Sequence, residues 1–445
     1  MRSLAELLVD RGWRVSGSDS AAVGHNAEML RARGVELHAG HAAGFVADAD
    51  EVVFSPAVPA TNPERIAARE RGIPERSYPQ VLGRLMTGRT GVAIAGTHGK
   101  STTTAMLGWI LESAGRSPSV ICGGELLNRN AGGWSGNGDA FVVEACEYQG
   151  SFFNLAPRHA AVLDIEPDHF DCYADLDSAI AAYRAFVAQL PADGLLVCRA
   201  DRPSVAAAVN GVTARVETFG VETTADWTAR SVHFRPGQTA FRIERRGHVW
   251  ADCVLHVPGE HNVLNAVAAV ALAAELGVGP DAVRKALADF RGVRRRCERL
   301  GNWRGVELVD DYAHHPTAVA ATLAAIRAEF PGRRLLCAFQ PHQVSRTRML
   351  MTELADSFRE ADDVLILPVY SARETTGDHV TASQELSRRV CQTGRRAMFI
   401  PSLDRLVATL ETDARPGDVV LLIGAGDIDR VRDELSRRIP RHYAS

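Results

Sequence analysis

Apolar positions along this chain switch repeatedly between a spacing of three to four residues and one of two, and that switching outlines alternating helices and strands. From Met1 to about Gly88 the helical stripe SLAELLVDRG precedes the strand-like WRVSGSD, the helical NAEMLRARG, and the strands VELHAG and EVVFSPAV. Such an order predicts an α/β unit with a parallel sheet. The unit opens on a helix. A doubly wound nucleotide domain opens instead on a strand and a Gly-rich turn that feed this helix, and neither stands before it here. The expected first strand lies mid-sheet, so two strand edges are expected to be unpaired.

A second block starts at Thr90 with a short Val/Ala/Ile strand and continues through AFVVEA, HAAVLDI, the helix SAIAAYRAFVAQL and GLLVC. Between Ala214 and Val257 the alternating segments WTARSVHF, QTAFRIER and HVWADCVLHV predict antiparallel strands on one side of the domain. The helix VLNAVAAVALAAELG closes that block. A third block runs from about Val293 through GVELVDDYA, AVAATLAAIRAEF, RRLLCAF, DDVLILPV and DVVLLIGAG. The expected fold is α/β in three domains. Residues 1–88 form a Rossmann-like unit lacking its first strand, 89–293 a central P-loop ATPase domain, and 294–445 a second Rossmann-like domain.

Composition agrees with that division, because 445 residues correspond to roughly three domains of ~150. A hydrophobic content of 46% with 23% charged residues is that of a globular protein, and no apolar run approaches the ~18–20 residues of a membrane helix. The N-terminus carries acids within its apolar stripe and has no small-residue cleavage site, so a cytoplasmic protein is expected. Its 8 Cys are scattered without a CxxC pair, which argues against a structural zinc and a disulfide framework. A net charge of −4 with no basic run gives no reason to expect nucleic acid.

Candidate chemistry concentrates at strand ends. In GVAIAGTHGKSTTTAML a strand runs into Gly96, Thr97, His98 and Gly99, then Lys100, Ser101 and Thr102 open a helix. Glycines let the backbone turn and aim N–H groups at a phosphate, a lysine adds a point charge, and a serine hydroxyl can sit on Mg²⁺. Among 50 Lys and Arg, the only lysines are Lys100 and Lys285. A lysine kept in that background indicates a compact ammonium where a guanidinium is too wide. Lys285, in PDAVRKAL, reads as a solvated helix face.

Two further strands end in acids: AFVVEACEY in Glu144 and Glu147, and HAAVLDIEPDHFD in Asp164, Glu166, Asp168, His169 and Asp171. Glu144 and His169 make a plausible second metal site. GEHNVLNA offers Asn262 and Asn265 at a helix start, either as caps or as readers of an adenine edge. Arg294, Arg295 and Arg296 follow a predicted hinge. In VELVDDYAHHPT, Asp310, Asp311, His314 and His315 are too polar to be core. Zinc is disfavoured at these histidines, since their spacings match no usual structural site and no thiol accompanies them. FQPHQVSRT adds His342 and Arg346.

In order and spacing, GTHGKST, EACEY, DIEPDHFD, GEHNVLNA, GVRRRCERLG, VDDYAHHPT and FQPHQVSRT resemble the Mur ligases over nearly the whole chain. The AHHP and FQPH elements are similar to the branch that adds L-alanine; the recycling branch that adds an intact tripeptide shares GTHGK but usually lacks FQPH. The resemblance implies a UDP-binding domain, a central ATPase domain and a C-terminal domain that closes over the site. It implies ATP-dependent ligation of L-alanine to the lactyl carboxylate of UDP-N-acetylmuramate, by way of an acyl phosphate, in peptidoglycan precursor synthesis. ATP and two Mg²⁺ ions are the implied cofactors, in a monomer or homodimer without membrane or nucleic acid. A relic that binds ATP without turnover is the alternative raised by the missing strand.

By the same resemblance, Gly96, Thr97, His98, Gly99, Lys100, Ser101 and Thr102 hold the phosphates. Ser101, Glu144 and His169 hold metal, Asn262 and Asn265 the adenine, Asp311 the ribose, and Arg296 a phosphate. His314, His315 and Arg346 correspond to the groups that bind the amino acid and the intermediate, which with Lys100, His169 and Arg296 makes the catalytic set. Ser18, Asp19, His41, Ser55 and Asn62 are the UDP candidates. Gln343 and Val344 stand where the family commonly has Arg and an aromatic residue. The carbamylated lysine of several sister ligases has no counterpart, as expected for the alanine-adding branch.

Overall fold

The computed structural model describes residues 1–438 except 21, 372–373 and 375–377. Near the N-terminus β1 (Ser16–Asp19) pairs in parallel with β2 (Glu36–Ala39), and β3 (Val52–Phe54) with β4 (Glu75–Ser77). Among the described residues these stay two separate two-stranded sheets, the unpaired edges expected around a mid-sheet position. The helix Arg2–Asp10 anchors this block to the next one. Its Glu6 is buried and accepts from the Gly132 and Gly133 amides at 2.8 and 2.9 Å, while Arg2 pairs with both Glu6 and Glu125. Helix and strand approach so closely that a Cβ on Gly133 would stand 1.8 Å from the Ser3 carbonyl oxygen.

The central sheet has ten strands: β5 (Thr90–Ala95), β6 (Ser119–Leu126), β7 (Ala131–Trp134), β8 (Ala140–Glu144), β9 (His159–Val162), β10 (Leu195–Arg199), β11 (Arg215–Val221), β12 (Trp227–Arg235), β13 (Gln238–Arg245) and β14 (His248–Leu255). Their order is β14-β13-β12-β11-β10-β9-β5-β8-β6-β7. Pairing is parallel from β12 to β6 and antiparallel for β12/β13, β13/β14 and β6/β7. β5 lacks a polar face because both its faces are covered. Val92 and Ile94 pack with the helices Lys100–Ser113 and Glu260–Glu275; Ala93 and Ala95 pack with Tyr183, Phe186 and Leu4. β8 and β9 lie on opposite sides of β5, so the chain switches sides there and leaves a crevice beyond the strand ends, where ligands bind in such sheets.

The third sheet comprises β15 (Glu298–Trp303), β16 (Val306–Asp311), β17 (Leu335–Gln340), β18 (Asp363–Ile366), β19 (Arg396–Phe399) and β20 (Val419–Gly424), ordered β15-β16-β20-β17-β18-β19. Only β15 runs antiparallel. The strand ends of β16 and β17 lead into the His314–His315 and His342–Arg346 segments. No helix among the described residues is long and apolar enough to cross a membrane.

Candidate active site

Between β5 and the helix Lys100–Ser113 the backbone turns through Gly96 (φ 144°) and Gly99 (φ 78°). Gly99 is required twice over. Its dihedral is left-handed, and a Cβ there would meet Asn265 Oδ1 at 2.3 Å. Gly99→Ala is therefore expected to cost about 1–3 kcal/mol and to displace the loop, which denaturant midpoints and nucleotide affinity would register together.

Lys100 Nζ donates to the carbonyls of Gly96 and, at 3.2 Å, Thr97. It also lies 3.0 Å from both carboxylate oxygens of Glu147. Burial disfavours the ammonium, but Glu147 and Glu144 outweigh it and raise its pKa. Lys100 is thus a fixed cation. Only one Glu147 oxygen is aligned to accept from it; buried Oε2 has no hydrogen-bond donor. His169 Nε2 lies 3.6 Å from Glu147, and its ring stands against Tyr148. Glu144, at the end of β8, accepts from the Gly123 amide at 2.7 Å. An orphaned carboxylate oxygen is a ligand that suits Mg²⁺, and Glu147 offers one beside Lys100 and His169; with Glu144 and the Ser101 hydroxyl it makes the oxygen-rich candidate set.

A second face is supplied by the C-terminal sheet. Arg346 is 2% exposed and sends Nε and Nη2 to one oxygen of Asp168, at 2.8 and 2.6 Å. Its Nη1 reaches His342 Nδ1 at 3.0 Å. Thr317 donates to Glu166 at 2.6 Å, and His315 Nε2 lies 3.2 Å from the Pro167 carbonyl. The residues 166–168 are thereby gripped by three side chains from the other domain.

Charge follows from these contacts. Burial pushes the Glu166 carboxyl up, but hydrogen bonds from His98 and Thr317 and the nearby imidazole charge hold it down at about 2. Burial and Arg346 drive His314 far below the ordinary imidazole value, and burial with His98 brings His315 to about 4. Both are neutral at pH 7. Because the folded pKa of Glu166 is depressed, its stabilisation is complete above an unfolded value of ~4.3 and disappears as pH falls toward 2. The stability gap between wild type and Glu166→Gln should narrow over that acid window in denaturant titrations.

Three family profiles match the chain. They are the Mur ligase family catalytic domain over residues 1–90, the Mur ligase middle domain over 94–273, and the Mur ligase glutamate ligase domain over 295–426. The UDP-N-acetylmuramate–L-alanine ligase of Kineococcus radiotolerans is 44% identical over 441 residues, 98% of this chain and 93% of that protein. The chain belongs to the Mur ligase family. Among solved structures, the UDP-N-acetylmuramate–alanine ligase of Thermotoga maritima superposes with a TM-score of 0.80 at 26% identity, covering 96% of this chain and 94% of that one. A murein peptide ligase from Psychrobacter arcticus reaches 0.72 at 26% identity, over 98% and 97% of the two chains.

Within this Mur ligase the expected site residues divide into groups. Lys100, His169 and the loop come together around Glu147, and His314, His315 and Arg346 gather with His342 across from them, while Glu144 is held by the Gly123 amide. Arg296 stacks on Tyr312, with its guanidinium 5.2 Å from the ring centre. Asn262 and Asn265 are buried beneath the phosphate loop, where Asn265 accepts from Thr103 at 3.2 Å and Asn262 donates to the Pro258 carbonyl at 2.7 Å. In the first block Ser18 donates to Glu64 at 2.8 Å and His41 lies 3.3 Å from the same carboxylate. Asp19 is hydrogen-bonded by Ser20, and Ser55 accepts from the Ala57 amide. Asn62 caps the helix Pro63–Glu70, accepting from Glu64 and Arg65 amides.

One expectation is corrected. The acids at the end of β16 are core after all, with Asp310 0% and Asp311 4% exposed. Arg295 and Arg432 each lie 3.3 Å from Asp310 and supply the charge that burial removes from water. Asp311 spends both oxygens on the Cys297 and Ala313 amides at 2.7 Å. Glu147 and Asp168 stand among the strand-end acids of the sequence, where nothing local assigns either a role. Asp168 lies 178 positions from its arginine, so no local spacing reveals the pair.

Proposed function

We propose that this chain joins L-alanine to the lactyl carboxylate of UDP-N-acetylmuramate at the expense of ATP, with Mg²⁺ at the phosphate loop. The observation that carries the reading is the 44% identity, over 98% of the chain, to a ligase of that name. Residues 1–88 would hold the UDP moiety through Ser18, Asp19, His41, Ser55 and Asn62. Residues 89–293 would hold ATP at Gly96–Thr102 with Asn262 and Asn265, and residues 294–445 would close over the site, with Asp311 fixing the Cys297 and Ala313 backbone there. Ser101, Glu144, Glu147 and His169 are the groups available to Mg²⁺, which when bound neutralises phosphate charge.

The chemistry follows from what a carboxylate lacks. Its oxygen is a poor leaving group until it attacks the γ-phosphorus and displaces ADP. The amine of alanine then adds to the acyl carbon, loses a proton, and expels inorganic phosphate as the amide forms. Lys100, held against the Gly96 and Thr97 carbonyls, would balance phosphate charge. His314 and His315 are neutral, so an incoming ammonium meets hydrogen-bonding groups and not like charge. Contact between residues 166–168 and the C-terminal domain supports exclusion of water, which would hydrolyse an acyl phosphate.

The test is phosphate release from ATP and Mg²⁺ with UDP-N-acetylmuramate, with and without L-alanine. Release that needs both substrates and yields the alanyl product supports the reading. Release driven by an intact tripeptide in place of alanine would turn the assignment to the recycling reaction. Nucleotide binding with no release under any combination would leave a relic.

A further inference from the structure

Outside the oxygen-rich set beside Lys100, three other metal-binding side chains converge. His98 belongs to the phosphate loop, Glu166 to the segment after β9, and His315 to the start of the helix Pro316–Glu329 in the other domain. One ligand atom from each lies within 4.8 Å of the other two. His98 Nε2 is 3.3 Å from Glu166 Oε2, and His315 Nδ1 is 3.6 Å from the same oxygen. A tetrahedral ion with bonds of ~2.0–2.1 Å sets its ligands ~3.4 Å apart. Two of the three edges already have that length.

We propose that His98, Glu166 and His315 form a site for a transition-metal ion, Zn²⁺ or a similar borderline cation, that ties the phosphate loop to the C-terminal domain.

The tautomer of His315 favours this. Its Nε2 faces the Pro167 carbonyl at 3.2 Å, so that nitrogen carries the proton and Nδ1 is the acceptor, which takes the Thr317 amide at 3.4 Å and lies 3.6 Å from Glu166. Ligating histidines are oriented in this way, by a carbonyl on the far nitrogen. His98 Nε2 faces the same Glu166 oxygen from the phosphate loop at 3.3 Å. Thr317, whose hydroxyl donates to Glu166 at 2.6 Å, fixes the carboxylate from the remaining side.

Two imidazoles and one carboxylate favour Zn²⁺, Ni²⁺ or Co²⁺ over Mg²⁺, which prefers oxygen ligands. The set is distinct from Ser101, Glu144, Glu147 and His169 in both residues and chemistry. It escapes the argument from sequence spacing because its members lie at positions 98, 166 and 315, in two domains. An ion held there would bridge the domains and hinder their separation, so turnover would slow.

The experiment is calorimetric titration of the full chain with ZnCl₂ in saturating Mg²⁺, which fills the oxygen-rich site, followed by absorption of the Co²⁺-substituted protein. One Zn²⁺ should bind per chain, and Co²⁺ should give the intense visible bands of a four-coordinate ion. His315→Gln and Glu166→Gln should each weaken Zn²⁺ by roughly ten- to a hundredfold, while His169→Gln leaves Zn²⁺ affinity unchanged. Circular dichroism of each variant without zinc separates loss of a ligand from loss of fold. Zn²⁺ should also slow phosphate release, reversibly on chelation. Affinity that survives in the His98→Gln/His315→Gln variant, or that disappears in His169→Gln, would overturn the proposal.

Discussion

Lys100→Ala should lower substrate-dependent phosphate release by about 10²–10³-fold, and Lys100→Arg should recover little of the loss. The ammonium is enclosed by the Gly96 and Thr97 carbonyls and by Glu147, an opening fitted to a tetrahedral donor. A planar guanidinium cannot make those three contacts without moving the loop. Removing the cation also leaves buried Glu147 facing only the His169 ring at 3.6 Å, which costs stability on its own account. A second variant, Lys100→Ala with Glu147→Gln, removes that charge and should regain the melting temperature without regaining activity. An arginine variant that kept more than about a tenth of the rate would sink this account of the cradle, because the donor's geometry would then not matter.

Much of the fold is legible in the chain because strongly periodic segments leave little choice. Val92 to Ala95 can only be a doubly covered strand, and the glycines after it can only turn. The antiparallel segments from Trp227 to Leu255 were readable from their alternation, although the parallel contact between β11 and β12 was not. Insertion of β20 between β16 and β17 is a pairing of strands far apart in sequence, which periodicity does not encode.

The site was legible where its chemistry is local. GTHGKST carries its own mechanism within seven residues, and the Asn62-Pro63 pair carries a helix-cap signal. Other roles depend on partners from elsewhere in the chain. Asp310 looks like an exposed acid until Arg295 and Arg432 are seen around it. Glu147 looks like a loop residue until Lys100 and His169 are seen to share it. In each case the sequence supplied the charged group, and only the fold supplied the counter-charge that decides whether it is surface, core or site.

The same dependence on a distant partner makes the Asp168–Arg346 pair the second place where a single substitution should act strongly. Arg346→Ala should reduce kcat/KM for L-alanine by about 10²-fold or more, the equivalent of 2–5 kcal/mol for truncating one member of a buried charge pair. Arg346 is 2% exposed, and Asp168, which burial alone would push up, is held well below the usual carboxylate range by the Arg346 guanidinium. Either group alone is therefore an uncompensated charge in a domain interface. Asp168→Asn should be nearly as damaging as Arg346→Ala. Asp168→Asn combined with Arg346→Gln should be milder than the sum of the single effects, because no lone charge remains. ATP affinity should change little in all three variants, since neither side chain belongs to the phosphate loop. Additive losses in the double variant would mean that the two side chains act separately. A coupling confined to kcat/KM for alanine would mean that the ion pair joins the domains for the second half of the reaction, when the amine must meet the acyl phosphate before water does.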